Sequence, residues 1–226
     1  DPQKKIPMAE DSIFRIYSMT KPIVSIATML LHEDGKLYLN EELDKYISEF
    51  NKMTVSTEFI DNEGNISEKL VDAKNKIKIH NLLTHTSGLT YGTFGNSFAK
   101  NRLKLSKISK LNQEGIFLKD YVKNLSKFPL AYHPNTVWEY GRSIEVLGRV
   151  IEVASDSSLD VFLKNRIFNP LNMEDTGFYV EEKKWDRIAE PFKDKQPKLI
   201  NIRNKPNFFT GGHGLVSTID DYMKFC

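Results

Sequence analysis

Apolar side chains recur at three- and four-residue intervals at Ile23, Ile26, Ala27, Leu30 and Leu31, the period of a helix that buries one face. Pro22 has no N–H to donate and fits only the first turn of such a helix, so the helix starts near Ser18 to Thr20. Asp34-Gly35 ends it. The same period predicts a second helix from Asn40 through Leu43, Tyr46, Ile47 and Phe50, and a short one that ends at Gly88. A helix over 118–125 stops at Phe128-Pro129. Another carries Ile144, Leu147, Gly148, Ile151 and Ala154 on one face. One over 158–168 ends at Asn169-Pro170, and a last one covers 219–225.

The pattern changes between the second and third helices. Val55, Phe59 and Ile60 on one side, and Ile66 and Leu70 on the other, flank the turn cluster Asp61-Asn62-Glu63-Gly64-Asn65. This predicts a β-excursion over 52–79, with Lys76-Ile77-Lys78-Ile79 alternating like a brief strand. Ile13 to Tyr17 reads as an extended lead into the first helix. Residues 91–117 are polar, with Lys104, Lys107 and Lys110 interspersed, and read as an exposed mobile loop or lid. Residues 181–207 are charged, proline-interrupted and without clear period. No internal repeat is visible.

Composition narrows the picture. The 226 residues, 40% of them hydrophobic, suffice for one large domain or two small ones. Thirty-two basic residues are offset by thirty acidic ones, so nothing points to a nucleic-acid partner. The most apolar run, around Ile23 to Leu31, contains Ser25 and Thr28 and is too short to span a bilayer. A single cysteine, Cys226, excludes an internal disulfide framework and a cysteine zinc site, and no cofactor or metal is called for. No signal peptide is visible, which leaves the compartment, cytoplasmic or periplasmic, open. The chain opens on Asp1 without an initiator Met and closes inside a helical pattern, so truncation at both ends is expected.

Chemistry concentrates at the mouth of the first helix. Ser18 and Lys21 are three residues apart and share a helical face. A serine at a helix N-terminus also sits where the positive dipole end favours a developing oxyanion. A candidate nucleophile, a candidate base and an electrostatic aid thus fall within one turn, and on the pattern alone Ser18 reads equally well as a helix cap. The spacing recurs at Ser97-Phe98-Ala99-Lys100, where Gly95-x-Ser97-x-Ala99 also imitates part of a nucleophile elbow. That elbow needs a strand before it. The glycine-rich flank and the lysine-rich tract instead predict a surface loop. His80 and His85, five apart, do not align on one helical face, so His85 reads as a histidine hydrogen-bonded to structure.

Five blocks, in order, give the chain a family resemblance. They are Phe14-Arg15-Ile16-Tyr17-Ser18-Met19-Thr20-Lys21-Pro22, Leu82-Leu83-Thr84-His85-Thr86-Ser87-Gly88-Leu89, Trp138-Glu139-Tyr140 with Leu147-Gly148, Ile167-Phe168-Asn169-Pro170-Leu171-Asn172-Met173-Glu174-Asp175-Thr176, and Gly211-Gly212-His213-Gly214-Leu215-Val216-Ser217-Thr218. With them the chain resembles the serine β-lactamase-like superfamily, and within it the class C-like esterases called family VIII carboxylesterases. The resemblance implies an α/β (α+β), β-lactamase/transpeptidase-like fold, a helical region plus an antiparallel sheet, the sheet incomplete in this chain. It implies one domain over 1–226, with 1–36 and 208–226 as nucleophile helix and cleft-side elements and 37–207 mainly helical. A segment without its sheet is expected to be unstable alone or paired with a chain that supplies strands.

By the same resemblance, Ser18 is the nucleophile, Lys21 its partner and Tyr140 the tyrosine of the second motif. A free lysine titrates near ~10.4, so serving as a base at neutral pH costs about 4 kcal/mol. A tyrosinate at Tyr140 beside a charged Lys21 is the equivalent alternative, so the pair titrates as one. β-Lactamases carry Tyr-x-Asn in this motif. Here Arg142 takes the Asn position, which favours ester over lactam substrates unless Arg142 points away and another group substitutes, and predicts that Arg142→Asn raises cephalosporin turnover relative to butyrate ester turnover. The third motif, Lys-Thr-Gly or a variant, has no match after Tyr140. Gly212, His213 and Gly214 form a tight turn near the cleft and, with Arg142, are the candidate substrate-binding residues. The implied function is hydrolysis of a small-molecule ester or amide through an acyl-enzyme. The alternatives are a β-lactamase or D-alanyl-D-alanine peptidase, and a non-catalytic binding protein.

Overall fold

The protein is described by a computed structural model over residue 5 and residues 7–106, 108, 115–191 and 199–226. A 3₁₀ turn at Tyr17–Met19 leads into α1, Thr20–Glu33, so the helix opens where Pro22 requires. Ile23, Val24, Ala27 and Leu31 of α1 are buried, whereas Ile26 is 46% exposed. The buried seam therefore runs one position away from the expected one, and Thr28 turns inward by bonding back to the Val24 carbonyl.

The predicted second helix is replaced by two 3₁₀ turns, Leu43–Lys45 and Ser48–Phe50. The β-excursion is a hairpin of β1′s successors in the chain: with β1 at Phe14–Arg15, β2 spans Thr54–Ile60 and β3 Ile66–Asp72, paired antiparallel from Thr54↔Asp72 to Ile60↔Ile66. The brief strand expected at 76–79 is only a single bridge, Glu42↔Lys78, before α2, Ile79–Leu83. Gly88 follows with φ +82°, and a Cβ there would meet the Tyr132 carbonyl oxygen at 2.1 Å, so only glycine closes this turn.

The stretch expected to be a mobile loop contains α3, Phe98–Leu105, while residues 107 and 109–114 lie outside the described residues. α4, Leu118–Leu125, has the predicted bounds. α5, Ser143–Ser155, packs against α1, α2, α4 and α6, Leu159–Leu163, which runs on into a π-turn at Lys164–Phe168. A helix contacted on so many sides is buried on most faces, and α5 buries Ser143 to Gly148 without a break. The main core is a continuous apolar cluster gathered around it, including Ile23, Leu31, Leu82, Tyr121, Leu147, Ile151 and Phe178.

The polar stretch at 181–207 contains a 3₁₀ turn, Glu182–Arg187, and part of a second cluster of Ile13, Val180, Ile188, Ile202 and Val216. Residues 192–198 lie outside the described residues. β4, Val216–Ser217, pairs antiparallel with β1 and is followed by α7, Ile219–Phe225. The described residues form helices plus two small antiparallel ladders, with no closed barrel among them, as the resemblance to the β-lactamase/transpeptidase-like fold implies. No described helix is long and apolar enough to cross a membrane.

Candidate active site

The β1–β4 ladder ties the two ends of the described chain together beside the mouth of α1. Phe14 pairs with Ser217, the Ile16 N–H donates to the Leu215 carbonyl (3.0 Å), and the Leu215 N–H donates to Thr20 Oγ1 (3.1 Å). The Gly211–Gly214 turn, which directly precedes β4, is thereby held against α1. At the corner between β1 and α1, Tyr17 takes φ +43°, an uncommon backbone for an aromatic residue and of a kind that gathers at functional sites. Ser18 follows it and is solvent-exposed.

Tyr140 arrives from the other side. The segment before α5 lies along the loop after α2: the Asn135 N–H donates to the Thr86 carbonyl and the Glu139 N–H to the His85 carbonyl, both at 2.8 Å. Asn135 holds φ +67°, a left-handed turn that asparagine tolerates. Thr90 Oγ1 donates to Glu139 Oε1 (2.6 Å), and Lys100 of α3 pairs with the same oxygen at 3.0 Å. Ser87 and Ser143 share a buried hydroxyl bond at 2.9 Å.

These supports bring three side chains together. Lys21 Nζ donates to Ser18 Oγ at 3.0 Å, and the Tyr140 hydroxyl donates to the same oxygen at 2.8 Å. Lys21 is buried, and its Nζ also donates to the Gly212 carbonyl at 2.7 Å and faces the Tyr140 ring at 4.8 Å. A serine hydroxyl approached by both an amine and a phenol can pass its proton to either once that group is deprotonated.

A buried ionic group lies behind them. Glu145, on the first turn of α5, is fully buried. Its Oε1 accepts from the Tyr91 hydroxyl (3.1 Å) and from Arg142 Nη1 (3.3 Å), and lies 3.6 Å from His213 Nδ1. Burial alone would raise its carboxyl, but His213, Arg142 and Lys21 outweigh burial and hold it at about 2. Burial, reinforced by the neighbouring Glu145 charge, pushes the Tyr91 phenol far above its ordinary range. His85 is held below the ordinary histidine value by burial first and by the Lys21 charge second.

His85 is not a hydrogen-bonded structural histidine of the expected kind. Its Nδ1 is buried with no hydrogen-bond partner among the described residues, and its ring lies 5.0 Å from that of Tyr140. Its backbone takes φ +55°. Ser97, the rival serine, is the N-cap of α3 and accepts from the Lys100 N–H, so it caps a helix instead of lying in a plain loop.

The four residues expected at the substrate are Arg142, Gly212, His213 and Gly214, and the two with long side chains are buried. Arg142 is 3% exposed, stacked at 4.4 Å over the Tyr91 ring and paired with Glu145. His213 is buried between Thr210 and Glu145. A Cβ on Gly214 would meet Phe178 and Thr210 at 2.9 Å, and Gly212 turns its carbonyl to Lys21. Of the four, Gly212 reaches the Ser18 group, through Lys21. Glu145 and Tyr91 escaped the sequence reading. The signal that could have found Glu145 was the apolar run Ile144, Val146, Leu147, Val150, Ile151, which wraps the whole helix and so predicts burial of a carboxylate within it.

A cavity of about 300 Å³ lies elsewhere, lined by residues that include Ile13, Lys164, Phe168 and Lys184, and it does not include Ser18. Among the described residues, no group of three or more His, Cys, Asp or Glu side chains is placed to share a metal ion.

The model of the family described as Beta-lactamase matches residues 1–226. The chain belongs to the Beta-lactamase family. Among curated proteins it is 34% identical over 204 residues to Esterase EstB of Burkholderia gladioli, covering 88% of this chain and 46% of that protein. It is 30% identical over 233 residues to the lovastatin esterase of Penicillium rubens, covering 98% of this chain and 56% of that one. Among solved structures, EstCE1, described as a hydrolase with promiscuous acyltransferase activity, superposes with a TM-score of 0.77 at 24% identity, over 99% of this chain and 60% of that one. The last likeness is one of fold. The chain spans about half the length of the curated relatives it matches.

Proposed function

We propose that the protein is a serine hydrolase that cleaves small acyl esters through a covalent acyl-enzyme on Ser18. The observation that carries this reading is Ser18 Oγ held between Lys21 Nζ at 3.0 Å and the Tyr140 hydroxyl at 2.8 Å. Ser18 Oγ attacks the ester carbonyl carbon, a C–O bond forms, and the hydroxyl proton passes to the Lys21–Tyr140 pair. The carbonyl oxygen takes up negative charge at the positive end of α1. Collapse breaks the bond to the alcohol, which leaves with the proton the pair had taken. Water then repeats the sequence on the acyl-enzyme and frees the acid and Ser18.

Two relatives of at least 30% identity that bear the name esterase support ester over lactam substrates. The test is fluorophosphonate labelling of the full chain, followed by mass spectrometry, beside hydrolysis of p-nitrophenyl butyrate and a chromogenic cephalosporin. The adduct is expected on Ser18. Ser18→Ala is expected to lower ester turnover by several orders of magnitude. Cephalosporin turnover faster than butyrate turnover would replace the esterase reading with a lactamase one, and an adduct on Ser97 would remove Ser18 from its role.

A further inference from the structure

A carboxylate buried as deeply as Glu145 is costly. Replacing a buried ionic group with apolar residues is often neutral or stabilising, so its presence invites a functional explanation. Its Oε2 has no hydrogen-bond partner among the described residues and lies against the Gly212 peptide. A Cβ on Gly212 would come within 2.4–2.6 Å of the carboxyl atoms. On its other side, Gly212 presents its carbonyl to Lys21 Nζ at 2.7 Å. The Gly212 backbone, whose N–H donates to Thr210 Oγ1, is thus packed between Glu145 and the lysine that contacts Ser18.

We propose that Glu145 is a positioning residue for Lys21: it pins the Gly212 peptide that orients the lysine, balances the lysine's charge, and so sets the pH at which the Ser18–Lys21–Tyr140 group becomes active. This rests on the serine hydrolase reading above. The ionisable groups around the clamp come from five segments. Lys21 lies on α1, His85 and Tyr91 on the stretch after α2, Tyr121 on α4, Glu139, Tyr140 and Arg142 on the approach to α5, and His213 on the turn before β4. Glu139 is paired with Lys100 of α3, and Glu145 is the carboxylate that Lys21, Arg142 and His213 face. Taking a negative charge away from behind the pair favours loss of its proton, whichever of the two is the base, so Glu145→Gln is expected to become active at lower pH. Removing only the Tyr91 hydroxyl leaves the carboxylate with one donor fewer and a stronger field, which has the opposite effect.

The experiment measures p-nitrophenyl butyrate turnover and the rate of fluorophosphonate labelling against pH, in the full chain and in Glu145→Gln and Tyr91→Phe. In Glu145→Gln the acidic limb of kcat/KM is expected roughly one pH unit lower. Its kcat is expected to fall about tenfold or more with KM changed far less, because the lysine is displaced and the ester site is not. In Tyr91→Phe the limb is expected to move upward. A change that only loosens the fold would lower the active fraction and leave the limb in place, so an unmoved limb in Glu145→Gln overturns the proposal. If Glu145→Gln does not fold, Tyr91→Phe decides: an upward limb supports the proposal, and an unmoved or lowered one overturns it. Failure of the unmodified chain to label at Ser18 overturns the hydrolase reading itself, and this proposal with it. Normal labelling with unmoved limbs overturns this proposal alone.

Discussion

At the scale of single residues, the decisive difference between expectation and structure is Arg142. Its position in the second motif suggested a residue facing substrate, and Arg142→Asn suggested a gain of cephalosporin turnover. The guanidinium is instead nearly inaccessible, stacked on Tyr91 and paired with a carboxylate that is itself fully buried. Taking one partner from a buried ion pair strands the other, at a cost on the order of 3–5 kcal/mol. Arg142→Asn is therefore expected to lower the thermal midpoint markedly without raising cephalosporin turnover. Differential scanning calorimetry beside the two substrate assays checks this. A variant as stable as the unmodified chain, with faster cephalosporin hydrolysis, would mean that Arg142 governs substrate choice directly.

At the scale of elements, α3 shows why a serine motif needs its backbone context. Ser97-Phe98-Ala99-Lys100 has the spacing of Ser18 and Lys21, yet Ser97 spends its hydroxyl on capping α3, where it accepts from the Lys100 N–H. The Lys100 side chain turns away to Glu139, beside Tyr140. Ser97→Ala is expected to cost about 1 kcal/mol of stability, the usual worth of an N-cap, and to leave labelling of Ser18 intact. Chemical denaturation and the labelling assay together read both effects. Loss of the Ser18 adduct in Ser97→Ala would tie α3 to catalysis more closely than a cap explains.

At the scale of the whole molecule, the ionised state of Glu145 links stability to pH. Its carboxyl is held at about 2 against an ordinary value of 4.5. A depressed carboxyl contributes stability that is fully present above the unfolded value and is lost as pH falls through the folded one. The window is therefore about pH 4.5 down to 2, and the contribution is on the order of 3 kcal/mol relative to a carboxyl with no native shift. Thermal unfolding of the unmodified chain and of Glu145→Gln, followed from pH 6 to 2, is expected to show a gap in midpoint that narrows across this window. A gap that stays constant would mean that the folded protein does not hold the carboxylate ionised.

How much of this was legible along the chain follows from range. Much of what depends on neighbours within a turn or two was readable, although the helix predicted from Asn40 to Phe50 formed two 3₁₀ turns instead. The start of α1 at Pro22, the bounds of α4, the β2–β3 turn at Asp61 to Asn65 and the three-residue step from Ser18 to Lys21 are all local geometry. Shared motif blocks carried the fold and singled out Tyr140, although it lies 122 residues from Ser18. Direction of burial was not readable. Ile26 turned outward, and Arg142 and His213 turned inward, because the elements packed against them from distant parts of the chain decide which side of each is covered. The Glu145–Gly212–Lys21 clamp joins α5, the turn before β4 and α1, so no local spacing could reveal it. A buried charge is stable only when partners converge on it in space, and that convergence exists only once the chain has packed.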